Sequence, residues 1–149
     1  MPQAQRVKDV MSHKVETVKP DDTLKHAAVK MEALDVGPLP VCDGEKLCGM
    51  LTDRDITVRA VASGKDPNRT TVRETMTSEL CYAFEDQSID EAVKLMHDHQ
   101  VRRLPVLSHD KHLVGIVSLA DLARSTDEHK KSKALEGVSK PGQGAPVGR

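Results

Sequence analysis

The sequence predicts an α/β (α+β) fold: two tandem copies of one β-α-β-β-α unit, each carrying a small sheet, related by pseudo-twofold symmetry. Three observations lead there. Val7-Lys8-Asp9-Val10-Met11-Ser12 returns as Val72-Arg73-Glu74-Thr75-Met76-Thr77, an offset of 65 residues (7 onto 72). The same offset carries Asp21, Ala27, Met31, Val36 and Leu39-Pro40-Val41 onto Asp86, Ala92, Met96, Val101 and Leu104-Pro105-Val106. After a one-residue insertion, Gly49-Met50-Leu51-Thr52-Asp53-Arg54-Asp55-Ile56 falls on Gly115-Ile116-Val117-Ser118-Leu119-Ala120-Asp121-Leu122.

Each copy then reads element by element. A short helical turn comes first, opened in copy two by the capping pair Thr71-x-x-Glu74. An extended stretch follows, Val15 to Val18 or Leu80 to Phe84. A polar cap, Asp21-Asp22-Thr23 or Asp86-Gln87-Ser88, starts a helix, and Ser88-x-x-Glu91 is itself a capping box. Apolar residues at Leu24, Ala27, Ala28, Met31 and Leu34, and at Ile89, Ala92, Val93 and Met96, recur at the three-to-four spacing of one buried helical face. A hairpin is expected next, Leu39–Val41 with Leu47–Leu51 about the turn Asp43-Gly44-Glu45-Lys46, and Leu104–Leu107 with Leu113–Val117. A second helix closes each copy, about Asp55–Ala62 and Asp121–Arg124. The breaker-rich run Ser63–Asn68 separates the copies. Copy one takes residues 1–64, a linker 65–71, copy two 72–126, and a polar C-terminal tail 127–149, read as flexible and solubilising.

Composition narrows the function. Hydrophobic residues make up 38%, and Tyr82 and Phe84 are the only aromatics, so the core and any pocket are aliphatic. A net charge of −1 gives no global field for nucleic acid or an anionic membrane. No apolar run has signal-peptide or membrane-span length, so a cytoplasmic protein is expected. Cys42, Cys48 and Cys81 contain no CxxC and read as free thiols, although Cys42 and Cys48 flank the same turn. His97-Asp98-His99 and His109-x-x-His112 fall at a helix end and in a turn. They read as solvated, and no metal site is expected. Neither a GxGxxG nor a P-loop is present, and no nucleophile is paired with a base; the chain reads as a non-enzyme.

The string Gly-h-h-[Thr/Ser]-x-x-Asp, where h is apolar, stands at a strand-to-helix junction in both copies. A helix start offers N–H groups to a phosphate, Thr52 or Ser118 adds a hydroxyl, and Asp55 or Asp121 can accept from two ribose hydroxyls. Ser/Thr-x-x-Asp is also an ordinary helix cap. With the preceding Val-x-x-Leu-Pro-Val strings, these residues resemble the signature of the cystathionine-β-synthase-type (CBS) domain, and the tandem resembles a CBS pair, or Bateman module, over about residues 5–126. The resemblance implies two three-stranded sheets packed together, two clefts between the copies, and a disc-shaped homodimer. It implies an adenosine ligand (AMP, ADP, ATP, NAD or S-adenosylmethionine) rather than a catalytic cofactor.

Carried over by position, the resemblance places Thr17, Val18, Val36, Gly37, Pro38, Leu39, Thr52, Arg54 and Asp55 in the first cleft. It places Tyr82, Ala83, Val101, Arg102, Arg103, Leu104, Ser118 and Asp121 in the second. Arg102-Arg103 stand where copy one has Gly37-Pro38, and Ala120 where it has Arg54, so the clefts are expected to be unequal. Tyr82 reads equally as a wall for the second adenine and as a half-exposed strand residue. The function expected is a regulatory sensor that signals to an unidentified downstream protein by conformational change; the alternative is an interaction scaffold with degenerate clefts.

Overall fold

The computed structural model describes residues 5–125, so the expected tail lies outside the described residues. Element order is α1 (Val7–Val10), α2 (Leu24–Leu34), β1 (Leu39–Asp43), β2 (Lys46–Leu51), α3 (Asp53–Asp55), α4 (Val72–Thr75), β3 (Ala83–Phe84), α5 (Ile89–His99), β4 (Arg103–Leu107) and β5 (Leu113–Ser118). Residues 119–125 are helical. Helix α3 runs on into Ile56–Val61, which winds at the wider π pitch, with the Ala62 N–H donating to the Thr57 carbonyl at 2.9 Å.

The chain forms two compact units. One comprises Glu16–Leu80 with Lys111–Leu113; among the described residues the other comprises 5–15, Cys81–Asp110 and 114–125. In the first, β1 and β2 pair antiparallel, and Val18 bridges Val41 in parallel. In the second, the sheet order is β3-β4-β5, with Ala83 beside Val106 in parallel. Val18 and Ala83 are thus the same position, extended to a two-residue strand in copy two only. The ladder between β1 and β2 slips at Val41/Cys42, leaving Cys48 as the extra residue of a bulge. All three cysteines are free, and burial pushes the Cys42 thiol up to about 11.

The caps behave as the sequence predicts. Thr23 Oγ1 accepts from the His26 N–H at 3.1 Å, and Ser88 and Glu91 form a reciprocal box. Leu34 departs from expectation: it is exposed rather than buried. Asp35 enters the left-handed region (φ 56°) and ends α2, so Leu34 sits on the last turn with no element over it. The second helices begin at 53 and 119 rather than at the two aspartates, because Thr52 and Ser118 are the residues outside the first turn whose side chains cap it.

The two cores repeat the sequence register with one exchange. Val18, Leu24, Ala27, Met31, Leu39, Val41, Leu51 and Val72 are packed together in the first unit. Val7, Ala83, Ala92, Met96, Leu104, Val106, Val117 and Leu122 are packed together in the second. Val7 therefore joins the core of copy two, and Val72 that of copy one. Backbone bonds hold the exchange. The N–H groups of Val7 and Lys8 donate to the carbonyls of Gln87 and Glu85, both at 2.9 Å; those of Val72 and Arg73 donate to Asp22 and Pro20, both at 2.8 Å. Ser12 then pairs both ways with Ile116, and Thr77 with Met50. Each lead-in turn, which precedes one copy in sequence, completes the other.

Both aromatics lie in one ladder of the second unit. Tyr82 meets Phe84 edge-on at 5.4 Å, and Phe84 stacks on His109 at 5.2 Å. His109 Nε2 lies 2.6 Å from Asp86 Oδ2. The Asp86 carboxylate, with Glu85 and Asp110 nearby, raises the imidazole above its ordinary 6.5, while His109 and then Arg6 hold Asp86 below its ordinary 3.8. The signs follow: the raised His109 stabilises the fold below about pH 6.5 and stops doing so as pH climbs through its folded value. Asp86 stabilises above its ordinary value and stops as pH falls through its lowered one. A proton NMR titration should find His109 titrating above 6.5 and moving back toward it in Asp86→Asn; an unshifted His109 in the parent chain would contradict the pair.

Candidate functional site

The strand-to-helix junction is built the same way in both copies. The Thr52 N–H donates to Asp55 Oδ2 at 3.0 Å, and the Asp55 N–H donates to Thr52 Oγ1 at 3.0 Å. Ser118 and Asp121 repeat both bonds at the same 3.0 Å. The motif is therefore a reciprocal helix cap in each copy. Capping does not exhaust its chemistry. Each hydroxyl spends one acceptor site and keeps its proton to offer, and each carboxylate commits Oδ2 to the cap. The other oxygen faces a cation: Asp55 Oδ1 lies 3.9 Å from Arg59 Nε, and Asp121 Oδ1 2.5 Å from Arg124 Nη2. These arginines extend the site beyond the residues expected in it. Their i+4 and i+3 spacing from the aspartates is the signal that reveals them.

The loop before β1 and the loop before β4 are also fixed alike. The Asp53 N–H donates to the Gly37 carbonyl at 3.2 Å, and the Leu119 N–H donates to the Arg102 carbonyl at 2.8 Å. Each copy thus ties the 37/102 loop to the first residue of the capped helix. A side-chain Cβ on Gly37 would stand 3.0 Å from Asp53 Oδ1, so Asp53, which the motif reading passed over, covers that glycine.

The remaining expected residues divide by burial. Val18, Leu39, Ala83 and Leu104 are core residues whose side chains are buried. Thr17, Val36, Pro38, Tyr82 and Val101 are half-buried, and Arg54, Arg102 and Arg103 are exposed. Lys30 Nζ donates to the Thr17 carbonyl at 2.7 Å. Tyr82 uses its ring on Phe84. Each unit therefore brings its own set of expected residues onto one sheet end and one helix start.

Gly49 and Gly115, the first residues of the motif, serve the fold. A Cβ on Gly49 would stand 2.6 Å from the Thr77 carbonyl oxygen and 2.9 Å from Met76 Sδ. On Gly115 it would stand 2.5 Å from Met11 Sδ and 2.8 Å from the Ser12 carbonyl oxygen. Only glycine lets the exchanged lead-in lie against β2 and β5.

With two such junctions, each after a Leu-Pro-Val strand, the class is defined: the CBS domain pattern matches residues 7–61 and 72–128, and the chain belongs to the CBS-domain family as a tandem pair. Hypoxic response protein 1 of Mycobacterium tuberculosis is 42% identical over 135 residues, covering 90% of this chain and 94% of that protein. The CBS domain-containing protein YhcV of Bacillus subtilis is 46% identical over 134 residues, covering 89% and 94%. Among solved structures, Hypoxic Response Protein I with two coordinated zinc ions superposes with a TM-score of 0.74 at 44% identity, covering 80% of this chain and 98% of that one. The CBS pair of protein MJ0100, in complex with 5′-methylthioadenosine and S-adenosylmethionine, gives 0.72 at 29% identity, covering 86% and 100%. The match to inosine-5′-monophosphate dehydrogenase of Methanocaldococcus jannaschii takes in only 24% of that enzyme.

Among the described residues no group of three or more His, Cys, Asp or Glu side chains is placed to hold a metal ion. No helix there is long and apolar enough to cross a membrane.

Proposed function

We propose that this chain is a cytoplasmic regulatory module that binds adenosine-containing ligands (AMP, ADP, ATP, NAD or S-adenosylmethionine) at its two strand-to-helix junctions. The observation that carries the reading is the doubled geometry: a capped Thr52/Asp55 and Ser118/Asp121, each with its second carboxylate oxygen facing an arginine rather than the cap, and each tied to its 37/102 loop. The MJ0100 pair, which was crystallised with adenosine compounds, supports it by similarity. Binding shifts the population of conformations that a downstream protein reads, since a ligand changes an equilibrium only by its differential affinity for the states.

Self-association as a homodimer belongs to the same proposal. Val58 and Val61 in the first unit are 49% and 58% exposed and Leu119 in the second is 41% exposed, each on a closing helix, and isologous pairing is the commonest way for an exposed apolar face to be buried. Sedimentation at tens of micromolar should show a dimer; a monomer with and without ligand refutes that part.

The binding reading is tested by calorimetry and thermal shift with AMP, ADP, ATP, NAD and S-adenosylmethionine. At least one should bind in the micromolar to sub-millimolar range and raise the melting temperature. The specific observation on the other side is that capping alone accounts for the Thr/Ser–Asp bonds. No heat and no shift with any of the five would leave the interaction scaffold as the reading.

A further inference from the structure

We infer that Cys42 and Cys48 form a site of reversible oxidation, at which a small-molecule disulfide of the glutathione class closes an intramolecular disulfide across the β1–β2 hairpin, with Cys48 as the entry thiol. Neither cysteine is among the residues of the strand-to-helix junctions, so the inference does not depend on ligand binding there.

The hairpin's own register brings the two side chains together. Val41 and Gly49 are directly paired, and both face the first core: Val41 is part of it, and a Cβ on Gly49 would meet Met76, which packs against it. Side chains alternate along a strand. Cys42 follows Val41 and Cys48 precedes Gly49, so both lie on the opposite face, one step toward the turn. In a regular antiparallel ladder these two would be direct partners. Here the ladder slips at this step, Cys42 pairs with Leu47, and Cys48 is the extra residue beside that pair. Direct antiparallel partners have Cα atoms about 4.5–5.5 Å apart, within the span of about 4.4–6.8 Å that a disulfide bridges. Burial first, and the charge of a Cys48 thiolate second, push the Cys42 thiol up to about 11, so the two sulfurs lie within Coulombic reach of each other. Copy two has Leu107 and Val114 at the equivalent positions, and copy one alone carries the pair.

Burial also sets the order of events. Cys42 is 4% exposed and forms little thiolate at neutral pH. Cys48 is half-buried, and its Sγ donates weakly to the Lys46 carbonyl oxygen at 3.6 Å. The Cys48 thiolate therefore attacks one sulfur of the small disulfide, forming a mixed disulfide and releasing the first small thiolate. The Cys42 thiol then gives its proton to solvent, and its sulfur attacks Cys48 Sγ, forming the protein disulfide and expelling the second small thiolate. The cysteine pair loses two electrons and two protons. The small disulfide is reduced, and its two thiolates take up the two protons from solvent. A dithiol reductant reverses both steps.

Oxidised glutathione added to the full chain, followed by alkylation of free thiols and tryptic mapping, reads the pair directly. Cleavage after Lys46 separates the two cysteines, and Cys81 falls on a third peptide, Glu74–Lys94. The expected product is Met31–Lys46 joined to Leu47–Arg54, in a chain whose intact mass is lower by two hydrogens; dithiothreitol should separate the two peptides. This measurement needs no substitution, so it decides even where a variant weakens the hairpin. Two variants read the order. Cys42→Ala should stop at the mixed disulfide on Cys48. In Cys48→Ser, Cys42 should react about tenfold more slowly than Cys48 does in Cys42→Ala. Its thiolate fraction is about a hundredfold smaller, and the greater nucleophilicity of the more basic sulfur returns about tenfold.

Oxidation that leaves Met31–Lys46 and Leu47–Arg54 unlinked, or links them only between two chains, would overturn the inference. Equal rates at Cys42 and Cys48 in the two variants would overturn the assignment of Cys48 as the entry thiol.

Discussion

Gly49→Ala is expected to lower the melting temperature by about 10 °C, a loss of about 2–3 kcal/mol. The added methyl would stand 2.6 Å from the Thr77 carbonyl oxygen, inside any real carbon–oxygen contact. That oxygen is not free to move. It accepts from the Met50 N–H at 3.0 Å, and the Thr77 N–H returns a bond to the Met50 carbonyl at 2.9 Å. Shifting the strand therefore strains two backbone bonds, each with a net contribution of about 1 kcal/mol. It also loosens Val72 and Met76 from the first core. The sulfur contact is the softer one, since Met76 can change rotamer; shortening Met76 does not rescue Gly49→Ala, because the carbonyl remains. Gly115→Ala should cost somewhat less. Its nearest contact, at 2.5 Å, is the flexible Met11 sulfur, and its backbone contact, to Ser12, is 2.8 Å. Gly44 provides the control. It has a positive φ of 64° and nothing within 4 Å of a would-be Cβ, so Gly44→Asn, which tolerates that region, should be nearly neutral. Differential scanning calorimetry ranks the three. A Gly49→Ala melting point within 2 °C of the parent would show that the lead-in does not lie against β2 as described.

The same glycines show where sequence reading stops. Register, hairpins and caps were legible because each is written locally: Ser88-x-x-Glu91 names its own helix start, and the Leu39 and Leu104 strings mark equivalent strands. The exchange of lead-in turns was not legible, and the reason is the repeat itself. Val7 and Val72 are equivalent by sequence, so either fits either core, and no pattern says which copy it completes. Leu34 misled for a different reason. Helical spacing put it on the apolar face, but spacing cannot report that the helix ends at Asp35 with nothing packed over its last turn. At the site, the motif identified the capped pair and left its variable positions unread. Asp53 occupies one of them, and its place over Gly37 depends on a loop brought back from sixteen residues earlier in the chain. The chemical difference between the copies was already visible in Arg102-Arg103 against Gly37-Pro38. Fold geometry adds that the cap bonds and the bond from loop to helix start recur beside both pairs.

Asp55→Ala and Asp121→Ala are each expected to weaken adenosine-ligand binding at their own site by about 10- to 100-fold, or about 1–3 kcal/mol, through loss of a charged acceptor. Each also removes half of a capping box, with a stability loss of about 1 kcal/mol. Because both boxes have the same 3.0 Å bonds, the stability loss should be the same for the two variants. The affinity losses should differ. At the Asp121 site Arg102 and Arg103 still attract a phosphorylated ligand when the carboxylate is gone. At the Asp55 site the equivalent positions are Gly37 and Pro38, which carry no charge. AMP binding at the Asp55 site should therefore be the more completely lost. Asp→Asn separates the two roles. An amide oxygen still accepts the cap N–H, so the fold is retained, while the charge that holds two ribose hydroxyls is removed. Calorimetric titration of the four variants beside their melting curves reads both quantities. If both alanine variants melt early yet bind every adenosine ligand as tightly as the parent, the aspartates are caps and nothing more. If both lose affinity equally, the sites are equivalent and the asymmetry of their loops has no bearing on binding.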